Sequence, residues 1–308
     1  LIPFYHRSRS GLKKPALKAF IRVARLHISF IAGLAAFTFG WVLTGVYPWL
    51  IATVCALDWF IVNLINRVVD ADEDKANGIT DMEFVDQHSR LLLGIGVFLL
   101  FVSLAVVHFV NPAITALRIV CHLLGAHYNW PLLPGGRRLK QIYFWKNIAS
   151  GIGFLLTVFG YPLLDAYWEK GINGLPPGIS WMTVAFSAVF FFLFIQSYEV
   201  MYDLRDVSGD SLLEIPTYPA VHGVRTTIHI VNCLIFSSIL VLATGYIFSF
   251  VPWRIFIMTA APFIQFIMLK RALRRGISAK DCIRITWMGV LLLFIYHVWI
   301  VAKLPGFN

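Results

Sequence analysis

Apolar runs of about twenty residues alternate with short polar, mostly basic connections along almost the whole chain. A run of about 20 apolar residues is what an α-helix needs to cross a bilayer. The pattern therefore predicts nine membrane-spanning helices, at 25–46, 48–69, 91–110, 112–127, 145–164, 180–201, 226–249, 251–270 and 281–301. The fourth is short and carries Arg118, His122 and His127, the poorest fit of the nine to a lipid-facing span. Residues 1–24 read as a basic cytoplasmic segment without the apolar stretch of a cleavable signal. Residues 25–302 are expected to form one membrane domain, with the connections 70–90, 128–144 and 203–225 capping one end of it.

Composition sharpens the class. Of the 308 residues 58% are hydrophobic and 14% charged, against about 45–50% and about 25% in soluble chains. An ordinary soluble enzyme is excluded. The net charge of +10 suggests a nucleic-acid ligand only at first sight, because the cations are confined to the connections between apolar runs. With the N-terminus inside and all nine spans in place, the inner side holds every one of the 26 Lys and Arg except Arg118, Lys170, Arg254 and Lys303. Such a bias places the N-terminus in the cytoplasm and the C-terminus outside. Dropping the fourth span would move the later basic connections to the opposite face. Cys55, Cys121, Cys233 and Cys282 show no CxxC or Cys/His spacing and are expected as small buried apolar groups rather than disulfides or zinc ligands.

The scarce acids say more than the abundant bases. Seven of the 16 fall into two clusters at the inner ends of the second and sixth spans, NRVVDADED at 66–74 and YDLRDVSGD at 202–210. If the second span continues as a helix, Asn66, Asp70 and Asp74 are separated by four residues each and drift by only about 40° per step, so they share one face. Asp203, Asp206 and Asp210 fall within a similarly narrow arc, whereas Asp72 and Glu73 are expected to point into solvent. Charges at the water line of a membrane helix are one explanation for either cluster alone. Two such stripes on the same side of the membrane call for another, since carboxylates crowded together repel unless a cation joins them and ionised groups at membrane depth tend to be functional. Facing oxygen-rich stripes suit Mg²⁺, which is commonly completed by water and phosphate oxygens. The connection YNWPLLPGGRRLKQIYFWKN, at 128–147, adds Arg137, Arg138, Lys140 and Lys146 around a Pro/Gly turn. Some of these cations serve topology, and others are placed to neutralise a diphosphate.

Taken together, the NxxxDxxxD and YDxxDxxxD stripes, the nine spans and the RRLK connection resemble the UbiA superfamily of intramembrane prenyltransferases. Arg25-Leu26-His27 at the start of the first span and EIPTYPAVHG at 214–223 add to the likeness. The resemblance implies an all-α integral membrane protein whose nine transmembrane helices surround a central cavity open sideways to lipid. It implies Mg²⁺-dependent transfer of an isoprenoid chain from a prenyl diphosphate to a lipophilic, often aromatic, acceptor. Asn66, Asp70 and Asp74 would hold one ion and Asp203, Asp206 and Asp210 the other, with Asp70, Asp74, Asp206 and Asp210 the catalytic carboxylates. Lys140, with Arg137 or Arg138, would contact the diphosphate. Phe144, Trp145, Tyr198 and Tyr202 are expected near the rim, where aromatic faces could stabilise an allylic cation, although core packing is the expected job of most of them.

Three departures bear on the acceptor more than on the donor. Arg67 follows Asn66 where many members carry Asp. KANGITDMEFVDQHSR, at 75–90, stands where an Arg-Pro segment is usual. Ser211-Leu212-Leu213 replaces the usual basic residues after Asp210. They leave room for a terpene cyclase of the same fold, and for a non-catalytic subunit that binds lipid or pigment in a larger membrane complex; membrane lipids, and a membrane complex or homo-oligomer, are the partners to expect. A transporter is the rival from another class. Against it, the acids sit at span ends and no inverted repeat of broken helices is evident.

Overall fold

The computed structural model describes residues 13–171 and 175–303, and within them each predicted span contains a helix. In chain order these are α1 (Lys13–Val23), α2 (Leu26–Thr44), α3 (Trp49–Val69), the short α4 (Ala71–Ala76), α5 (Met82–Val110), α6 (Pro112–Asn129), α7 (Trp145–Lys170), α8 (Trp181–Leu212), α9 (Tyr218–Ile247), α10 (Trp253–Leu273) and α11 (Ala279–Val301). Among the described residues there is no strand, and eight helices are long and apolar enough to cross a membrane: α2, α3, α5 and α7 to α11. The fourth predicted span is the 18-residue helix α6, which those criteria leave out. Of the basic segment 1–24, residues 1–12 lie outside the described residues. The remainder forms α1, which buries Ala19 and Val23 and is tied to the chain before α5 by Arg22, whose guanidinium donates to Asp81 at 2.5 and 2.6 Å.

Small residues let the helices close up. A Cβ on Gly33 of α2 would lie 2.8 Å from the Ala56 Cβ and 3.0 Å from the Ala52 carbonyl oxygen of α3, so glycine permits the close backbone approach typical of helix pairs in lipid. Around this pair, Phe39, Leu43, Val54, Phe159, Phe190 and Phe191 build the main core. The outer face of α5 instead leaves Phe98, Phe101 and Phe109 exposed. Large apolar groups turned outward along a whole helix are unfavourable in water and natural in lipid.

Two local features carry the acids out to the end of the bundle. Helix α3 stops at Val69, yet the Asp70 N–H donates to the Asn66 carbonyl and the Asp74 N–H to the Asp70 carbonyl, both at 2.8 Å. The helical ladder thus passes through the break, and Asn66, Asp70 and Asp74 stay stacked. Helix α8 runs for 32 residues, about 48 Å at 1.5 Å per residue, against a hydrocarbon core of about 30 Å. Its last turns, with Asp203, Asp206 and Asp210, extend beyond the apolar stretch expected at 180–201.

The charge that makes α6 a poor span is neutralised inside the protein. Arg118 is wholly buried and donates to Asp58 of α3 through Nη2 at 2.6 Å and Nε at 3.0 Å. It also donates to the Ser103 carbonyl and hydroxyl oxygens at 2.9 and 2.7 Å. Asp58 accepts a further hydrogen bond from the Tyr161 hydroxyl at 2.9 Å and lies 3.0 Å from His122 Nε2. Every oxygen of that carboxylate is engaged, which is the condition for keeping an ion pair at membrane depth.

Candidate active site

Residues from five elements meet at the acidic end of the bundle. Helices α3 and α4 bring Asn66, Asp70, Glu73 and Asp74; α8 brings Asp203 and Asp206; α7 brings Lys146; and the α6–α7 connection brings Lys140. All of them line one cavity of about 200 Å³. The connection reaches it through a tight turn in which Gly135 and Gly136 adopt φ of +78° and +67°, values that side-chain-bearing residues rarely take.

Cations sit between the carboxylates. Asp70 Oδ1 accepts from Lys140 Nζ at 2.6 Å and from Arg138 Nη1 at 3.0 Å. Lys140, almost fully buried, also donates to Glu73 Oε2 at 2.5 Å. Asp74 is paired with Arg67, with Arg25 3.6 Å away. Lys146 bridges the second stripe, 3.0 Å from Asp203 and 3.2 Å from Asp210, and Asn147 Nδ2 donates to Asp203 Oδ2 at 2.8 Å. Asp206 is paired with its neighbour Arg205. Among the described residues no three of the His, Cys, Asp or Glu side chains converge closely enough to ligate one ion as they stand.

Most of the expected site residues therefore come together. Arg138 touches Asp70 from outside the cavity lining. Asp210 also lies outside the lining, held by Lys146, while its Oδ1 is buried without a partner. Arg137 is on the exposed turn, where its carbonyl accepts from the Leu133 N–H at 3.1 Å. Phe144 and Trp145 are exposed rather than in the site. Asp72 is in solvent as expected. Glu73 is not: it faces the cavity, and burial together with the charge of Asp70 raises its pKa against the pull of Lys140. Glu73 lies three residues after Asp70, so helical spacing carried through the single-residue break at Asp70 puts it on the face of the stripe.

The sequence reading missed the links between the two stripes. The Asn77 side-chain oxygen, just past α4, accepts from the Gly209 N–H of α8 at 2.9 Å. A Cβ on Gly209 would overlap the Asn77 amide, so Gly209→Ala is expected to push α4 off α8. We expect at least about a tenfold loss of turnover from such a misplacement, with little change in expression, measured side by side with wild type in detergent. Asp58 and Glu199 were missed as well, though a periodic signal existed. Asp58 lies two four-residue steps before Asn66, and Glu199 one such step before Asp203, so both continue the acidic stripes into the bundle.

A second, apolar cavity of about 320 Å³ lies deeper, walled by Phe39, Phe190, Phe194, Tyr198 and Tyr296 among others. Ile28, Phe154, Glu199 and Tyr202 belong to the walls of both cavities. The charged chamber and the apolar chamber thus adjoin.

Fold and site define a polytopic helical membrane protein with a carboxylate-rich chamber at one end and an apolar one behind it. Residues 26–293 match the model of the UbiA prenyltransferase family, and the chain belongs to that family. Solved structures agree on the fold. A UbiA homologue from Archaeoglobus fulgidus bound to DMAPP and Mg²⁺ is 14% identical, with a TM-score of 0.66 over 93% of this chain and 100% of that one. A UbiA homologue from Archaeoglobus fulgidus bound to GPP and Mg²⁺ gives 14% identity and a TM-score of 0.65 over 92% and 99% of the two chains. A digeranylgeranylglyceryl phosphate synthase is also 14% identical, with a TM-score of 0.56 over 92% of this chain and 95% of its own. No curated protein matches the chain significantly. Family and apolar helices together make this an integral, multi-pass membrane protein of a prenyltransferase family.

Proposed function

We propose that the protein is a Mg²⁺-dependent transferase that moves an isoprenoid chain from a prenyl diphosphate to a lipophilic, aromatic acceptor within the membrane, at a site on the cytoplasmic face. The observation that carries this reading is the charged chamber, with residues of both acidic stripes in its wall, adjoining an apolar chamber. A prenyl diphosphate has the same division into a polyanionic head and a hydrocarbon tail.

The donor set fits the metal: Asn66, Asp70 and Asp74 for one ion and Asp203, Asp206 and Asp210 for another offer only oxygen atoms, as Mg²⁺ prefers. The unpartnered Asp210 Oδ1 is a further buried acceptor. When bound, the ions would act as Lewis acids on the diphosphate and ease its departure. The protein's own residues account for the rest. Lys140, Arg138 and Lys146, now on carboxylates, are within the same chamber or at its edge and supply cations to the phosphate oxygens. The apolar chamber would take up the tail at about 0.8 kcal/mol per buried CH₂ and keep water from the allylic cation. Phe154, Tyr198 and Tyr202, in its wall, present aromatic faces that stabilise a nearby cation by roughly 0.5–2 kcal/mol.

The test is a transfer assay. Purified protein is incubated with geranyl diphosphate and a lipid extract of the native membranes, and products are followed by mass spectrometry. A geranylated lipid that forms with Mg²⁺ and not with EDTA is the expected result. Folded protein that consumes no geranyl diphosphate under either condition would contradict the reading.

A further inference from the structure

We infer that Glu199 is the catalytic base of the transfer, taking the proton that the acceptor must lose. The inference rests on the prenyltransferase reading and extends it to a residue outside both metal stripes.

Three observations point to Glu199. It lies in the wall of both chambers, at the boundary where a molecule with its head among the charges and its tail among the aromatics must place the carbon between them. It sits four residues before Asp203 on α8, about 6 Å deeper along the helix axis. And among the described residues it forms no ion pair: its one hydrogen bond is from the Ser150 hydroxyl of α7, at 2.8 Å to Oε1. The other deep carboxylate, Asp58, is held by Arg118, Tyr161 and His122, and Asp70, Asp74, Asp203 and Asp206 are matched by cations. Glu199 is the carboxylate left available at the junction.

The chemistry requires such a group. The C1–O bond of the prenyl diphosphate breaks and its electron pair leaves with the diphosphate. An electron pair of the acceptor forms the new bond to C1, and the hydrogen on the attacking atom departs as a proton. That proton goes to the Glu199 carboxylate, and from there through the charged chamber to water. Ser150 fixes one carboxylate oxygen and leaves the other for the acceptor. The departing diphosphate is the rival base, and the experiment separates the two.

Wild type, Glu199→Gln, Glu199→Asp and Ser150→Ala are compared with Mg²⁺, [1-³H]geranyl diphosphate and the native lipid extract. Released diphosphate, geranylated lipid and labelled alcohol or alkene are measured separately. Glu199→Gln should lower geranylated lipid by about a hundredfold or more while Mg²⁺-dependent diphosphate release persists and the label appears as alcohol or alkene. Glu199→Asp should recover part of the transfer. Ser150→Ala, which keeps the carboxylate, should reduce transfer less and serves if Glu199→Gln does not fold. Transfer at the wild-type rate in Glu199→Gln would overturn the inference and leave the diphosphate as base. Loss of release in step with transfer, in a protein with wild-type thermal unfolding, would also overturn it by assigning Glu199 to donor binding. Wild-type protein that releases no diphosphate removes the prenyltransferase reading itself, and the base with it.

Discussion

Asp70→Asn and Asp206→Asn are each expected to reduce turnover by at least about a hundredfold, the scale on which single electrostatic contributors to a transition state are lost. The two residues belong to different helices and different stripes, yet line one chamber. Asn keeps the shape and one oxygen of Asp and removes the charge, so the change tests charge rather than packing. Folding should survive, because both carboxylates lie at the end of the bundle beside cations that can turn to other partners: Lys140 retains Glu73. Thermal unfolding in detergent, measured with the activity, separates the two effects. The double variant should lose little more than the worse single one if both stripes serve one chemical step. Full activity in both single variants would remove the acids from the mechanism.

Arg118→Leu should have the largest effect on stability, about 3–5 kcal/mol, the usual consequence of removing one partner from a buried ion pair. Arg118 is wholly buried with Asp58, and the substitution strands that carboxylate against Tyr161 and His122. Replacing both residues, Arg118→Leu with Asp58→Leu, should recover a substantial part, since the pair as a whole contributes less than its halves cost when separated. Equilibrium unfolding in mixed micelles is the appropriate measurement. An Arg118→Leu protein as stable as wild type would mean that the cluster is not what holds α6 in the bundle.

How much of this could be read from the chain depends on the range of the interaction. Helix positions follow from hydropathy, a local property, and the expected spans coincide with helices to within a few residues at most ends. The stripes were legible because helical periodicity is local too: Asn66, Asp70 and Asp74 remain stacked even though α3 breaks at Asp70. Contacts between distant segments were not legible. Lys140 meets Glu73 across 67 residues, Asn77 meets Gly209 across 132, and Arg118 meets Asp58 across 60. No spacing rule encodes such pairs, so from the sequence Arg118 is only a blemish in a weak span; Glu73, by contrast, stands three residues after Asp70, as Asp206 does after Asp203, and local spacing already puts it on the stripe's face. Arg137 illustrates the opposite error. It shares a basic run with Arg138, but the Gly135–Gly136 turn directs one to the surface and the other to Asp70.

The central claim is that the two acidic stripes form one metal-dependent diphosphate site. Calorimetric titration of the purified protein with geranyl S-thiolodiphosphate, which is resistant to ionisation, tests it without any need for the acceptor. The account predicts binding in Mg²⁺, none in EDTA, and a loss of at least about tenfold in affinity for Asp70→Asn and for Asp206→Asn alike. Equal affinity in Mg²⁺ and EDTA, unchanged by either substitution, would contradict it.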